Sequence, residues 1–530
     1  MNEVSLNTTG AGVRRSARWW ALGALSLAIL AAGLDGTVLS VALPTLAGAL
    51  HATETDLQWF TSGYLLVLAA AMLPAGLLGD SFGRKKVLLG SVALFAVGSI
   101  ACAFAPNAGA FVAARMLLGL ASAGLVVMAL SSLTVLFNEE ERPRAVGVWA
   151  AANFLALPIG PILGGWLLTH YWWGWVFLLN VPVAVIGFIA ATLLVPESRA
   201  DERPGLDSVG ILASSAGLVI VTYGLISAGE NGWTARGTVL SILAGVLVLA
   251  GFGVWEWRLT GHPDGRPLID LGLFRSASFT WGVILAGAGV LAMVGVLFTM
   301  PQFFQAVHGV DAMGSGLRLL PLIFGLVLGA VPADRVAGLI GPKLTVAVGF
   351  LFLAAGLGVG ATTTAVSGTW FVAAWMAGVG LGLGLSLATA SSRALAELPE
   401  SRSGVGAAVM QALQKIGAPF GAAILGSALA TTYRAHLELT GLPPAAAAAV
   451  QGSVFGGLAV ARQLHSPELL ASVRMAFVSG MSVALLVSAG IAAAGMLLAL
   501  AFMPGRPALA QDRDAAEESF REEEQLAAGG

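Results

Sequence analysis

The sequence holds one cysteine, Cys102, in 530 residues. A single thiol can build neither a disulfide framework nor a cysteine metal site. Charge is scarce as well: Asp, Glu, Lys and Arg make up 11% of the chain, against about 25% in soluble domains. The six histidines, at 51, 170, 262, 308, 436 and 465, have no metal-ligand spacing, so no metal is expected. No glycine–lysine phosphate loop is present, which excludes direct ATP drive within the chain. No nucleophile–base pair presents itself, so an enzyme is the least favoured class.

What is abundant is apolar sequence. Hydrophobic residues make up 57% of the chain, and the mean hydropathy is +0.85. Runs of 18 or more apolar residues recur from end to end, each able to cross about 30 Å of hydrocarbon as a helix. A β-barrel would instead alternate with period two. The pattern predicts an all-α polytopic membrane protein with 14 spans, near 20–44, 57–78, 87–105, 110–137, 146–168, 174–195, 208–227, 237–255, 280–304, 316–333, 343–363, 369–392, 404–430 and 475–502. With the N-terminus taken as cytoplasmic, 20 of the 27 basic residues fall on the inside. The outside holds only Arg236, Arg318, Arg434, Arg462 and Arg474, and Arg115 and Lys415 fall within spans. That asymmetry predicts both termini in the cytoplasm. No cleavable signal is expected, because Met1–Ala17 is polar and the first apolar run is long enough to stay in the membrane.

A weak internal repeat pairs PIGPILGGWL (158–167) with KIGAPFGAAILG (415–426), and GLLGDSFGRKK (76–86) with GAVPADRVAGLIGPK (329–343). It maps spans 1–6 onto spans 9–14. The resulting plan is a cytoplasmic segment 1–19, a six-helix bundle 20–200, a two-helix insert 201–258, a cytoplasmic linker 259–279 and a second six-helix bundle 280–502. An external loop at 431–474 is long enough for short helices, and 503–530 reads as an acidic cytoplasmic tail. Parallel halves place a pathway at their interface, and the 69 glycines allow close helix packing.

Ionisable residues inside such runs need a reason. Asp35, in AAGLDGTVLSVALP, is the only acid deep in a predicted span, and a carboxylate there costs on the order of 2.5–3.5 kcal/mol on insertion scales. It is either a packing carboxylate satisfied by Thr37 or Ser40, or a protonation site. Arg115, a few residues into span 4, either anchors a helix end or pairs with a buried acid, Asp35 being the leading partner. In the loop after span 2, Gly83 serves a tight turn, Arg84 holds the loop at the cytoplasm, and Asp80 stands at the membrane boundary. In GPILGG, Pro161 kinks span 5 while Gly160, Gly164 and Gly165 allow close contact. Spans 10 and 13 lack deep acids, and span 13 offers Gln411, Gln414 and Lys415 instead, the lysine facing either the bundle interior or a water-filled cavity. Trp59, Tyr64, Asn153, Asn180, Phe304 and Gln305 are further candidates for lining a cavity between the halves.

The chain resembles the major facilitator superfamily, whose signature loop has the G-x-L-x-D-x-x-G-R-K-K pattern of 76–86. It looks most like the fourteen-span drug:proton antiporter branch. LDGTVLSVALP (34–44), LQWFTSGYLL (57–66), RMLLG (115–119), GPILGGWL (160–167), WVFLLNVP (175–182), PQFFQAVHG (301–309) and GLRLLP (316–321) extend the likeness from about residue 20 to 502. Ser81 departs from the pattern where a basic residue is common. The resemblance implies a multidrug exporter of small amphiphilic or cationic molecules in a bacterial cytoplasmic (inner) membrane, exchanging substrate for protons by alternating access. On the same footing, Asp35 and Arg115 serve proton coupling, Gly76, Asp80, Gly83 and Arg84 form a conformational latch, and the GPILGG kink marks export. No cofactor is implied beyond the proton gradient. The partners implied are the lipid bilayer, protons and a small-molecule substrate, with no nucleic acid and no obligate protein. The competing expectations are a dedicated exporter of a single metabolite or antibiotic, and a non-transporting membrane sensor. The arginine-to-lysine ratio of 23 to 4 hints at a GC-rich bacterial source.

Overall fold

A computed structural model describes residues 15–137, 141–198, 207–260, 268–269, 271–396, 400–439 and 441–505, and every regular element among them is helical. The predicted acidic tail lies outside the described residues beyond position 505. In a medium without water each peptide group must find its partner within the segment, so long apolar runs become long helices. Side chains finish their ends: Thr53 and Asp56 form a reciprocal capping box, and Asn107, Asp207, Ser276 and Asp311 cap later helices.

The first bundle comprises α1 (Arg15–Ala49), α2 (Glu54–Phe82), α3 (Arg84–Ala103), α4 (Ala108–Leu136), α5 (Arg142–His170), the short α6 (Trp175–Leu178) and α7 (Asn180–Leu194). Its core gathers Leu25, Phe60, Phe111, Leu118 and Phe177. The predicted span at 174–195 is divided at Leu179, because Pro182 has no N–H for the carbonyl one turn earlier. A hairpin of α8 (Ser208–Asn231) and α9 (Arg236–Thr260) follows. α8 packs on α2 and on the second bundle, while α9 leaves Leu240, Leu243, Val246 and Leu247 exposed on its outer face.

The second bundle holds α10 (Ala277–Gln302), which runs on through a wider turn at Phe303–Val307, then α11 (Ala312–Ala330), α12 (Ala333–Ile340), α13 (Pro342–Gly360), α14 (Thr369–Ala396), α15 (Glu400–Ala435) and α18 (Pro467–Phe502). Between α15 and α18, within the loop expected at 431–474, lie α16 (Pro444–Gly452) and α17 (Val454–Gln463). They are held by the Tyr433 hydroxyl, which donates to the Val450 carbonyl at 2.9 Å. Twelve helices among the described residues are long and apolar enough to cross a membrane. The runs predicted at 57–78 and 146–168 fall in α2 and α5, each of 29 residues, which are not among those twelve.

The halves touch through α5 with α11, α2 with α15, and α1 with α10. These contacts draw together at the end of the bundle that carries the α1–α2 turn. There Gly165 of α5 meets Met313 of α11, and Gly316 lies on the Pro161 carbonyl. A Cβ on Gly165 would stand 2.7 Å from Met313 Cα, closer than side chains pack, so only glycine permits this crossing. The Gln305 amide donates to the Val41 carbonyl at 3.1 Å, and Ser427 donates to Gln58 at 3.3 Å. This end is shut.

Candidate functional site

Asp35 stands midway along α1 and is 3% exposed; Arg115, from α4, is 1% exposed. Asp35 is the leading partner expected for Arg115, and their side chains meet at 2.5 Å, Arg115 Nη1 donating to Asp35 Oδ2. The Asn180 amide of α7 donates to Asp35 Oδ1 at 3.4 Å and also reaches Ser99 Oγ on α3 at 3.4 Å. Arg115 Nε donates to the Phe60 carbonyl of α2 at 3.2 Å, using the second lone pair that a helical carbonyl keeps free. The alternative partners of Asp35 are otherwise engaged: Thr37 donates to the Ala156 carbonyl on α5 at 3.0 Å, and Ser40 to the Thr37 carbonyl at 2.8 Å. Two opposite charges are thereby buried as a neutral, hydrogen-bonded pair, the one arrangement in which apolar surroundings tolerate them.

Tyr64 of α2 joins this pair to open space. Its ring lies 4.3 Å beneath the Arg115 guanidinium, a cation–π contact, and it also lines a cavity of about 240 Å³ between the halves. Gly33, Gly36 and Thr37 of α1, Val290 and Phe298 of α10, and Lys415 of α15 form other parts of that wall. A second space of about 240 Å³ adjoins it, sharing Gly33, Tyr64, Leu68 and Lys415 and adding Met72, Gln411 and Gln414. It extends the void toward the end that carries the α2–α3 loop. The cavity is thus closed at the α1–α2 end and continues the other way.

The remaining candidates separate. Asn180 serves Asp35 rather than the cavity. Trp59 packs with Val221 and Leu225 of α8, away from the cavity wall. Phe304 is buried in the second bundle and lines a different pocket, with Arg318 and Trp370. Gln305 closes the α1–α2 end. The side chains of Asn153 and Asp80 lie outside the described residues. Gly76 and Asp80 lie in the last two turns of α2, which ends at Phe82, and Gly83 takes φ +113° in the turn to α3, a conformation natural to glycine. The loop is tied to its own half: Arg84 N donates to the Ser198 carbonyl at 2.8 Å and Lys85 Nζ to the Thr192 carbonyl at 2.7 Å. Of the GPILGG motif, Gly160 and Gly164 face Thr37 and Val38 of α1, while Gly165 faces α11.

One carboxylate escaped the sequence reading. Glu54, the first residue of α2, is 2% exposed and accepts a hydrogen bond from the Gln302 amide of α10 at 3.3 Å, across the two halves. Gln302 Oε1, Gln58 Nε2 and Thr55 Oγ1 nearby have no partner among the described residues. The capping box at the start of α2 uses Thr53 and Asp56 and does not account for Glu54. Just beyond α10, burial and then the Arg318 and Arg474 charges hold His308 below the usual histidine range, so it adds no charge to those two arginines near neutral pH.

Known proteins agree with this architecture. The fold is similar to the crystal structure of a bacterial homolog to the human lysosomal transporter Spinster (TM-score 0.65, 18% identity, covering 92% of this chain and 98% of that one). A D-xylose-proton symporter gives 0.59 and 14%, over 92% and 98%. In sequence the chain is 32% identical over 504 residues to the Tetracenomycin C resistance and export protein of Streptomyces glaucescens, covering 93% of each chain. It is 31% identical to the Multidrug efflux pump LfrA of Mycolicibacterium smegmatis, over 91% of this chain and 96% of the relative. It is 30% identical to the Methyl viologen resistance protein SmvA of Salmonella typhimurium, over 91% and 97%. The family profile matches residues 25–422, and the chain belongs to the Major Facilitator Superfamily.

Proposed function

We propose that this transporter is a proton-coupled antiporter that exports small amphiphilic drugs across a bacterial cytoplasmic membrane by alternating access. The observation that carries the reading is the Asp35–Arg115 pair set behind Tyr64 at the wall of a cavity closed at one end. A carboxylate that can exchange Arg115 for a proton gives the first half two charge states. Each state favours a different packing against the second half. The similarity to a tetracenomycin C export protein, a multidrug efflux pump and a methyl viologen resistance protein supports export as the direction.

On this reading α2 and α5 cross the membrane with the twelve others, giving 14 spans with both termini in the cytoplasm. The shut end then faces outward and the cavity opens inward. The two bundles rock about their interface while α8 and α9 travel as an insert. In proteoliposomes, a proton gradient should drive substrate in the opposite direction, and Asp35→Asn should abolish the drive while leaving substrate binding in place. Wild-type coupled flux from that variant would sink the proposal. A dedicated exporter of one metabolite is separated from a multidrug pump by a substrate panel: one scaffold moves, or many do.

A further inference from the structure

The cavity's charge is opposite to that expected for a cation pump. Among its described lining residues the only charged side chain is Lys415, and Lys415 borders both parts of the void. It stands 15 residues beyond Glu400 and 20 before Ala435 on α15, about 22 and 30 Å along the axis. It has no ion pair or hydrogen bond among the described residues, whereas Arg115, the other cation within a predicted span, donates to Asp35 and to the Phe60 carbonyl.

Asp35, the deep acid of α1, offers no compensation. Asp35 is held by Arg115 and Asn180, and the Tyr64 ring lies between Arg115 and the cavity. Several wall hydroxyls have spent their protons on backbone carbonyls: Thr37 and Ser40 as described, and Thr61 on Leu57. The Gln414 amide, beside Lys415, donates to Ser391. The ammonium, with three donors and no acceptor of its own, is therefore left uncommitted, as Gln411 is, where the apolar part of the wall meets a more polar one. A cation entering this space meets a like charge and, among the described lining residues, no carboxylate. An anion on an apolar ring system meets its counter-ion and buries its rings against Leu43, Leu65, Met293 and Phe298.

We infer that Lys415 is the substrate-recognition cation of this cavity, and that the preferred substrates are acidic amphiphiles, ring systems bearing a carboxylate or an ionised phenol. The inference rests on the cavity of the proposed transport reading, but it concerns charge preference rather than proton coupling.

Two dyes on one xanthene frame test it: fluorescein, an anion at pH 7.5, and rhodamine 123, a monocation. Binding to the purified full chain in lipid nanodiscs should favour fluorescein by tenfold or more. Lys415→Gln and Lys415→Met should weaken fluorescein by at least tenfold without weakening rhodamine, and Lys415→Arg should keep fluorescein within about threefold. Thermal melting of each variant reports folding separately. Tighter binding of rhodamine by the wild type, or fluorescein affinity within twofold of wild type in both the Gln and Met variants, overturns the inference. Flux keeps the two readings apart. Proton-driven rhodamine transport without fluorescein binding would sink the charge preference and keep the antiporter. Lys415-dependent fluorescein binding with no proton-driven flux would do the reverse.

Discussion

The guanidinium of Arg115 lies 4.3 Å over the ring of Tyr64, and the same ring forms part of the cavity wall. A change in the Asp35–Arg115 pair therefore has only one side chain to cross before it reaches the space between the halves. Tyr64→Phe keeps the ring and should preserve coupled flux within about threefold. Tyr64→Leu removes the cation–π contact, about 0.5–2 kcal/mol, and should lower both melting temperature and coupling. Equal flux in the Leu and Phe variants would show the ring to be simple filler.

Asp35→Ala and Asp35→Asn should differ in stability but agree in function. Alanine leaves the Arg115 charge buried without its partner, a loss of about 3–5 kcal/mol when a buried pair is broken from one side. Asparagine still offers an oxygen to the guanidinium and should melt above the alanine variant. Gradient-driven transport should fall at least tenfold in both. Melting curves and proteoliposome flux are the paired measurements.

The crossing of α5 and α11 should be intolerant of added volume. A Cβ on Gly165 would sit 2.7 Å from Met313 Cα, and one on Gly316 would overlap the Pro161 carbonyl. Gly165→Val and Gly316→Val should hold the α1–α2 end apart. Spin labels at His170 and Thr369, in a background lacking Cys102, should then report a longer distance than in the unsubstituted protein. An unchanged distance would mean that this crossing does not limit closure.

Glu54 should act on the same closure from α2. Glu54→Gln retains a group that can pair with Gln302, whereas Glu54→Ala leaves the Gln302 amide without its cross-half acceptor. The alanine variant should shift the His170–Thr369 distance toward the open value and slow turnover severalfold, and the Gln variant should do less. Identical distance distributions in all three proteins would remove Glu54 from the closing contact.

The sequence revealed what has no bland explanation in hydrocarbon. An aspartate and an arginine in separate apolar runs must find partners, and Asp35 is the leading partner the sequence offers Arg115. Helical spans, the glycine turn at Gly83 and the short helices before α18 were legible for similar reasons, because composition and turn chemistry are local. Trp59 and Phe304, which the sequence offers only as candidates for the cavity wall, lie elsewhere. Which side of a uniformly apolar helix faces a void depends on its neighbours, and α8, which covers Trp59, comes some 150 residues later. Glu54 was overlooked for the complementary reason. At a helix start an acid looks solvated, and Glu54 is buried by partners distant in sequence, among them Gln302 of α10, 248 residues away.

The ion pair and every partner described for it (Phe60, Tyr64, Ser99 and Asn180) come from α1–α7, while Lys415 comes from α15. If the first charge set carries the proton and the second the cargo, the chain is a two-part instrument whose parts can be inherited separately. A lineage could exchange its second bundle and acquire a new cargo without rebuilding its motor. A chimera joined at the insert would then keep the energetics of one parent and the resistance spectrum of the other.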